Sequence, residues 1–387
     1  MTSIALPLQQ GGWGTLTLTV PRVWPTVRAP SCSRIAFGAA HVVADPLWNN
    51  VPGAPAELDW DSTLAFRRHL FSHGLGVAEA MDTAQRGMGL DWATTKELIR
   101  RSSAQALELG ARIASGAGTD QLPAEVDTLA AVTAAYLEQL EVVEGAGSQA
   151  IVMASRQLAK VAVGPDDYRT VYDTVLRQVG RPVILHWLGT AFDPALHGYW
   201  GSADVDVATE HFLDLVRDHA DRVDGVKVSL LDADHERALR AALPESVRLY
   251  TGDDFNYPEL IKGDGEHHSD ALLGIFAAIA PAAGAAPRAL DDSDDAGYDA
   301  AFEPTLPLAR HVFRAPTFFY KTGIAFLAWI CGHQPGFTMV GGLQSARSVV
   351  DLSHTLRLAD RAGLIPDPEL AVRRMQALLD TVGLTDG

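Results

Sequence analysis

The chain has 387 residues, with 31 basic and 48 acidic side chains, which gives a formal net charge of −17 at pH 7. No run of Lys and Arg is dense enough to follow a phosphate backbone, so neither nucleic acid nor an anionic membrane surface is expected as a partner. The two cysteines, Cys32 and Cys331, are far apart, which excludes zinc knuckles and a disulfide framework and fits a reducing cytoplasm.

The first part of the chain is expected to pack on the domain that follows it. Met1–Leu8 lacks the basic and apolar regions of a signal peptide. The alternating residues Thr15–Val20 predict a strand or hairpin. Residues 1–33 are therefore predicted to be an N-terminal extension that packs on a barrel formed by the residues after it.

Eight short apolar runs of β character follow, and segments of helical period separate them. They start about every 34 residues, which is close to the length of one βα unit. The predicted strands are Arg34–Val43, Gly76–Thr83, Ala111–Ala117, Gln149–Ser155, Pro182–Trp187, Asp224–Leu230, Val247–Gly252 and Ala271–Ala277. Eight such units within residues 34–303 predict a closed (β/α)8 TIM barrel of the α/β class.

Helix start signals lie between these strands. Asp61, Asp91 and Asp204 stand ahead of helical segments, and Pro165 opens another. The predicted helices are Thr63–Phe71, Trp92–Leu109, Asp166–Val179 and Val207–Arg222. A doubly wound open sheet is the alternative, but no G-x-G-x-x-G follows the first strand.

The C-terminal region, residues 304–387, is predicted to consist of extra helices. The acidic segment Asp291–Asp299 ahead of it is expected to be a solvated loop. Thr317–Cys331 is apolar, but it is shorter than a membrane span and contains Lys321, so it predicts a buried helix. A break at Ile365–Pro368 precedes a last predicted helix.

In a TIM barrel the active site lies at the carboxyl ends of the strands, and Lys227 is the most informative residue there. Alternation along Asp224–Leu230 separates Lys227 from its apolar neighbours, and both faces of a barrel strand are buried. Burial disfavours an ammonium group and leaves a free amine that can form a Schiff base with a carbonyl compound. The alternative is a structural lysine paired with Asp224 or Asp232.

His186 ends the preceding strand and is expected to lie beside Lys227. A neutral imidazole there can move the protons that Schiff-base chemistry requires, so His186 is the candidate general acid and base. The alternative is a histidine that stacks on Trp187 or caps a loop. The next loop contains Asp193 among aromatic residues, and Asp193 is a candidate for binding a hydroxylated substrate.

Two further strand ends supply candidates for substrate binding. After strand seven, Asp253 and Asp254 can bind substrate hydroxyls or cap the next helix, and capping is the expected role of Asp254. After strand two, Asp82, Thr83 and Arg86 offer a carboxylate, a hydroxyl and a guanidinium group. Arg86 can bind an anionic substrate or form a salt bridge.

These segments resemble the dihydrodipicolinate synthase and N-acetylneuraminate lyase superfamily of class I aldolase-type barrels. The likeness rests on G-V-K at Gly225–Lys227, Y-T-G-D-D at Tyr250–Asp254 and L-D-W-D at Leu58–Asp61. The whole chain is identified as a member of the DUF993 family within that superfamily. The resemblance implies a covalent lysine Schiff base without a metal or other cofactor, a small carbonyl substrate, and a homo-oligomer.

Two departures separate the chain from the synthases of that superfamily. Their G-T-T-G-E after strand two is replaced by D-T-A-Q-R at Asp82–Arg86, in which only Thr83 matches. The tyrosine of their Y-N-V-P in strand five is replaced by His186. We therefore expect a lyase or aldolase for aldol cleavage, condensation or dehydration of a sugar or keto-acid derivative, and not dihydrodipicolinate synthesis.

Two other functions stay open at this point. One is a metal-dependent lyase or isomerase that uses His186, Asp82, Asp232 and Glu79, although no two of these have the spacing of metal ligands. The other is a catalytically silent barrel that binds a metabolite. The missing threonine and tyrosine favour that second alternative.

Overall fold

The computed structural model describes residues 2–25 and 29–384. It begins with an antiparallel hairpin of β1 (Ser3–Pro7) and β2 (Trp13–Thr17), as the alternating N-terminal residues predict. Eight parallel strands then pair in chain order, the last with the first, and close a barrel. These are β3 (Ala36–Ala39), β4 (Gly76–Glu79), β5 (Ile113–Ala117), β6 (Gln149–Val152), β7 (Val183–Leu188), β8 (Val223–Ser229), β9 (Arg248–Thr251) and β10 (Asp270–Leu273). Every one overlaps a predicted strand, which confirms the (β/α)8 barrel.

Helices surround the barrel and continue beyond it. The barrel helices are α1 (Trp60–Ser72), α2 (Trp92–Leu109), α3 (Leu129–Gly145), α4 (Arg156–Val161), α5 (Pro165–Gln178), α6 (Val205–Asp218), α7 (Ala233–Ala242), α8 (Tyr257–Lys262) and α9 (Ala280–Asp291). The C-terminal helices are α10 (Asp295–Phe302), α11 (Leu306–Val312), α12 (Tyr320–Ile330), α13 (Val349–Arg361) and α14 (Pro368–Thr381). Within the described residues, no helix combines the length and apolar character that crossing a membrane requires.

The helix start signals act through side-chain caps. The Asp91 carboxylate accepts a hydrogen bond from the N–H of Thr94, so α2 begins where the sequence predicts. The first helix starts earlier than predicted, because the N–H of Ser62 donates to Asp59. Asp61 therefore lies inside the first turn of α1, where a carboxylate faces the positive end of the helix dipole.

Side chains of the barrel strands are shared among three apolar clusters. Leu185, Val226 and Val228 belong to the cluster that these strands form with helices α2 to α7. Because side chains alternate along a strand, their neighbours His186 and Lys227 point into the barrel. The predicted strand faces are therefore correct at both candidate catalytic residues.

The C-terminal helices contain the predicted buried helix. Every residue of α12 is buried, including Lys321. The segment Asp291–Asp299 is largely helical instead of the expected loop, because Asp291 ends α9 and Asp295 begins α10. The carboxylate of Asp294 accepts a hydrogen bond from the N–H of Gly297, so the acidic residues there stabilise a helix start.

The N-terminal hairpin packs on the C-terminal helices, whereas the sequence predicts that it packs on the barrel. Strand β1 contacts α13 and α14, and Arg357 of α13 donates to the carbonyl oxygens of Leu6 and Gly14. The extension meets a barrel helix further on, where Ser31 donates to Asp291 of α9. The domain limits at residues 33 and 303 stay a prediction.

Candidate active site at the barrel mouth

Lys227 and His186 are neighbours on adjacent strands inside the barrel. They are paired in register between β7 and β8. Their exposed fractions are 6% for Lys227 and 2% for His186. The two candidate catalytic side chains are therefore brought together in a buried position near the carboxyl end of the barrel.

Lys227 forms no hydrogen bond or salt bridge within the described part of the chain. The two carboxylates proposed as structural partners are engaged elsewhere: Asp224 accepts from the Tyr250 hydroxyl at 2.7 Å, and Asp232 caps α7. Burial lowers the pKa of Lys227, and the negative charge of Asp82 only opposes that effect. The arrangement favours an unprotonated amine, which is the nucleophilic form.

His186 is held in its neutral form. Burial lowers the pKa of His186 well below its ordinary value. Its Nε2 lies 3.2 Å from Oγ of Ser229. The neighbouring Trp187 points outward and packs edge-on against Phe212 and Trp200, away from the imidazole. A neutral imidazole in this place can accept a proton.

A chain of hydroxyl groups lies at the end of β4. Asp82 and Thr83 form a short 3₁₀ turn. The Tyr320 hydroxyl donates to Oδ2 of Asp82 at 2.9 Å and lies 2.6 Å from Oγ1 of Thr83. A tyrosine has one hydroxyl proton, so the Thr83 hydroxyl must be the donor in the second bond. The sequence does not predict Tyr320 as a site residue, because it comes from α12 outside the barrel.

Arg86 forms a salt bridge with Asp120, which is the second of the two roles that the sequence leaves open for it. Its Nη1 group donates to the carbonyl oxygens of Ala80 and Gly116, with nitrogen–oxygen distances of 3.3 and 2.8 Å. Its Nε and Nη2 groups bind Asp120, and Nη2 also donates to Gln139. All five donors of the guanidinium group are thus used within the protein.

The adjacent carboxyl groups after β9 have the opposite roles to those expected. Asp253 caps the turn by accepting from the N–H groups of Phe255 and Asn256. Asp254 accepts one bond from the N–H of Ile275 at 2.9 Å. Burial raises the pKa of Asp254 well above its ordinary value, which favours a carboxylic acid close to Lys227.

A cavity of about 180 Å³ opens at this end of the barrel. Residues from four strand ends and from α12 surround it, among them Asp82, Arg86, Asp120, Arg156, Asp193 and Lys321. Lys227 and His186 are not among its lining residues. They lie deeper in the barrel. Asp82 connects the two regions, because it lines the cavity and its negative charge also opposes the lowering of the Lys227 pKa.

Lys321 is a second buried lysine at this site. Its exposed fraction is 1%, and Nζ donates to the carbonyl oxygen of Phe318 at 3.2 Å and lies 4.0 Å from Oδ2 of Asp82. Burial lowers the pKa of Lys321 to about 8. The signal in the sequence is a single lysine inside a largely apolar helix.

Asp193 lines the cavity where the sequence predicts a binding residue. Its carboxylate accepts from the N–H of Ala195, which caps a 3₁₀ turn, and from Nε of Arg156. Arg156 follows β6 and is absent from the predicted site. Asp193 therefore positions a guanidinium group at the cavity wall.

The residues proposed for a metal site are engaged in other contacts. Glu79 forms a bidentate salt bridge with Arg67, with both contacts at 2.8 Å and both side chains fully buried. Asp232 caps α7. Nowhere in residues 2–25 and 29–384 do three His, Cys, Asp or Glu side chains group as metal ligands would. The arrangement does not fit the metal-dependent alternative.

Comparison with known proteins identifies a family and a shared fold. The family model for a protein of unknown function (DUF993) matches residues 4–384. No curated protein matches the chain. The structure is similar to dihydrodipicolinate synthase from Aquifex aeolicus, with a TM-score of 0.64, 12% identity, and coverage of 86% of this chain and 99% of that one. For dihydrodipicolinate synthase from Bacillus clausii the values are 0.63, 14%, 84% and 96%. The chain thus shares the barrel fold of these two synthases.

Proposed function

The chain belongs to the DUF993 family, and we propose that it is a Schiff-base-forming lyase or aldolase with Lys227 as the nucleophile. One observation carries the proposal. Lys227 is buried in register with His186, at the carboxyl end of a closed barrel, and has no partner within the described residues. A buried lysine without an ion pair is rarely retained for stability alone, because desolvation of its charge destabilises the folded state.

The first half of the reaction follows from the state of these groups. The free amine of Lys227 attacks the carbonyl carbon, and one proton passes from the nitrogen to the oxygen to give a neutral carbinolamine. A second protonation releases that oxygen as water and leaves a cationic iminium. Asp254 can supply a proton here, because its raised pKa keeps it in the acid form.

The second half uses the iminium as an electron acceptor. When the bond between the α and β carbons breaks, its electron pair moves toward the iminium and gives a neutral enamine. In an aldol cleavage the departing fragment becomes an aldehyde by losing its hydroxyl proton. Neutral His186 is the proposed acceptor of that proton.

The hydroxyl chain supports a proton path to the same place. Thr83 donates to Tyr320, and Tyr320 donates to Asp82. The negative charge of Asp82 in turn raises the pKa of Lys227. Each of these bonds can reverse as a proton moves along it. We propose that this chain connects the reacting carbon to the cavity.

The proposed substrate is a sugar or keto-acid derivative. Dihydrodipicolinate synthesis is not proposed, because the turn after β4 has only one of the two threonines and Arg86 has no free donor. We further propose that the protein works in the cytoplasm as a homo-oligomer, without a metal or other cofactor. The only partner proposed besides a second copy is the small carbonyl substrate.

Reductive trapping tests this function. Borohydride added with a panel of aldehydes, keto acids and keto sugars should attach one substrate-sized mass to Lys227, as located by peptide mass spectrometry. The Lys227→Met variant should lose the adduct, and the exposed-lysine control Lys96→Met should keep it. Turnover that survives in Lys227→Met without an adduct would contradict the proposal. Thermal stabilisation by a ligand without turnover would instead support the metabolite-binding barrel.

A further inference from the structure

We propose that Lys321 and Arg156 form an anion-binding subsite in the mouth cavity, so that the carbonyl substrate also carries a carboxylate or phosphate group. The identification of the substrate class rests on the proposed function. The binding of an anion at this place does not.

The two cationic side chains reach the same cavity from different parts of the fold. Arg156 is the first residue of α4, directly after a barrel strand, and Lys321 lies in the second position of α12. They are close enough that the charge of Arg156 contributes to lowering the pKa of Lys321. Two like charges beside one cavity are stabilised when an anion binds between them.

Both side chains have donors left for a ligand. Arg156 uses only Nε, for Asp193, and neither of its Nη groups has an acceptor within the described residues. Its Nη1 would lie 3.3 Å from a Cβ atom at position 87, so the lack of a side chain at Gly87 leaves space around the guanidinium group. Lys321 donates to a carbonyl oxygen and to the sulfur of Met88, which leaves one of its three protons.

The remaining charges of the cavity support an anionic ligand. Asp120 is bound by Arg86 and Asp193 by Arg156. The negative charge of Asp82 is shared by two lysines, because it raises the pKa of both Lys227 and Lys321. When Lys227 becomes an iminium, one carboxylate stands between two cations. An anionic group on the substrate, next to Lys321, compensates the second positive charge.

The position of Asp82 also indicates the shape of the substrate. Lys321 Nζ is 4.0 Å from Oδ2 of Asp82, on the cavity side, whereas Lys227 is on the interior side. A substrate that reaches both lysines therefore carries its carbonyl toward the barrel interior and its anionic group in the cavity. A keto acid or keto sugar phosphate with its acidic group remote from the carbonyl fits this requirement.

Calorimetric titration with inorganic phosphate and with malonate, at constant ionic strength, tests the subsite. The wild type should bind at least one of the two anions. Lys321→Met and Arg156→Gln should each weaken that binding about tenfold or more, which corresponds to the loss of one charge-assisted hydrogen bond. Lys321→Arg should retain most of it, and the exposed-lysine control Lys96→Met should retain all of it.

The pattern of results separates this proposal from the proposed function. Binding of phosphate alone identifies a phosphorylated substrate, and binding of malonate alone identifies a carboxylate. Lys227→Met should still bind the anion, so failure of reductive trapping with intact anion binding counts against the Schiff base only. Equal binding by the wild type, Lys321→Met and Arg156→Gln, or no anion binding beyond that of chloride, would overturn the subsite. Arg156 has 43% of its side chain exposed, so its substitution tests the subsite even if Lys321→Met does not fold.

Discussion

The hydroxyl of Tyr320 lies 2.6 Å from Oγ1 of Thr83, although 237 positions separate the two residues in the chain. The same hydroxyl donates to Asp82. A helix outside the barrel thus completes a hydrogen-bond chain that begins on the second barrel strand. This relationship makes the C-terminal region part of the candidate active site, and it leads to the first prediction.

Tyr320→Phe should slow catalysis while leaving the barrel folded. Removal of the hydroxyl breaks the link between Thr83 and Asp82, and a proton-transfer group of this kind contributes roughly 10²-fold or more to the rate. We expect kcat to fall with a small change in KM and an altered pH profile. The control is Tyr298→Phe, whose hydroxyl bonds to the carbonyl oxygen of Pro258 in the helical layer. A proportionate loss of kcat in both variants would indicate a general packing effect.

Arg86→Met should reduce stability strongly. The substitution leaves Asp120 without its guanidinium partner and removes hydrogen bonds from two backbone carbonyl groups. Loss of one member of a buried ion pair typically costs about 3–5 kcal/mol of unfolding free energy, and a partly exposed Asp120 places the effect at the lower end. Urea unfolding measures it. If Arg86→Met were as stable as the wild type and raised only KM, Arg86 would be a substrate ligand after all.

Glu236→Gln should stabilise the protein at high pH. Burial raises the pKa of Glu236 to about 8, although the hydroxyls of Thr251 and Ser269 donate to its carboxyl group and oppose that effect. The pKa of Glu236 in the folded state lies above the unfolded value near 4.5. The bound proton therefore contributes fully to the free energy of unfolding below pH 4.5, and this contribution is lost as the pH rises toward and through 8.

An amide imitates the protonated carboxyl group, so the Glu236 variant should match the wild type at pH 4.5. At pH 9 it should exceed the wild type by a few kcal/mol of unfolding free energy. Urea unfolding at the two values gives the comparison. A constant difference between the two proteins across this range would show that Glu236 is not protonated in the folded state.

Acid should destabilise the protein through His69, in the last turn of α1, and His333, which follows α12. The His69 and His333 rings have centroids 3.9 Å apart, and burial lowers the pKa of His69 to about 3 and that of His333 to about 4. The unfolded chain binds these protons near pH 6.5, so unfolding free energy falls as the pH drops from about 6.5 toward 4.

His69→Gln should make the loss of unfolding free energy between pH 7 and pH 4.5 smaller. Replacement of the exposed His197 by Gln is the control and should leave the pH dependence as in the wild type. Chemical unfolding at several pH values is the measurement. An unchanged slope in His69→Gln would mean that other groups cause the acid sensitivity.

The sequence predicts the barrel well because its signals are local and repeated. Eight apolar runs at βα spacing indicate eight strands, and alternation within one strand is enough to orient Lys227 and His186 toward the interior. Caps such as Asp91 act within one helical turn. These features depend on residues that are neighbours in the chain, so the sequence alone is enough to predict them.

The remaining parts of the site depend on contacts between distant segments. Tyr320 and Lys321 reach the mouth because of how α12 packs, which no local pattern specifies. Arg86 could have been free or paired, and only the folded positions of Asp120 and Gln139 decide this. Asp253 and Asp254 are adjacent acids with different partners, so composition cannot distinguish the cap from the buried acid.

The origin of Tyr320 and Lys321 on one helix has a consequence for redesign. The strands supply Lys227, the proposed nucleophile, while α12 supplies a hydroxyl and an amine to the space above it. Substitutions confined to a few positions of this helix can therefore change which molecules the barrel accepts without disturbing the strand register. In the proposed site, the nucleophile and the α12 groups above it are therefore encoded in separate stretches of the gene.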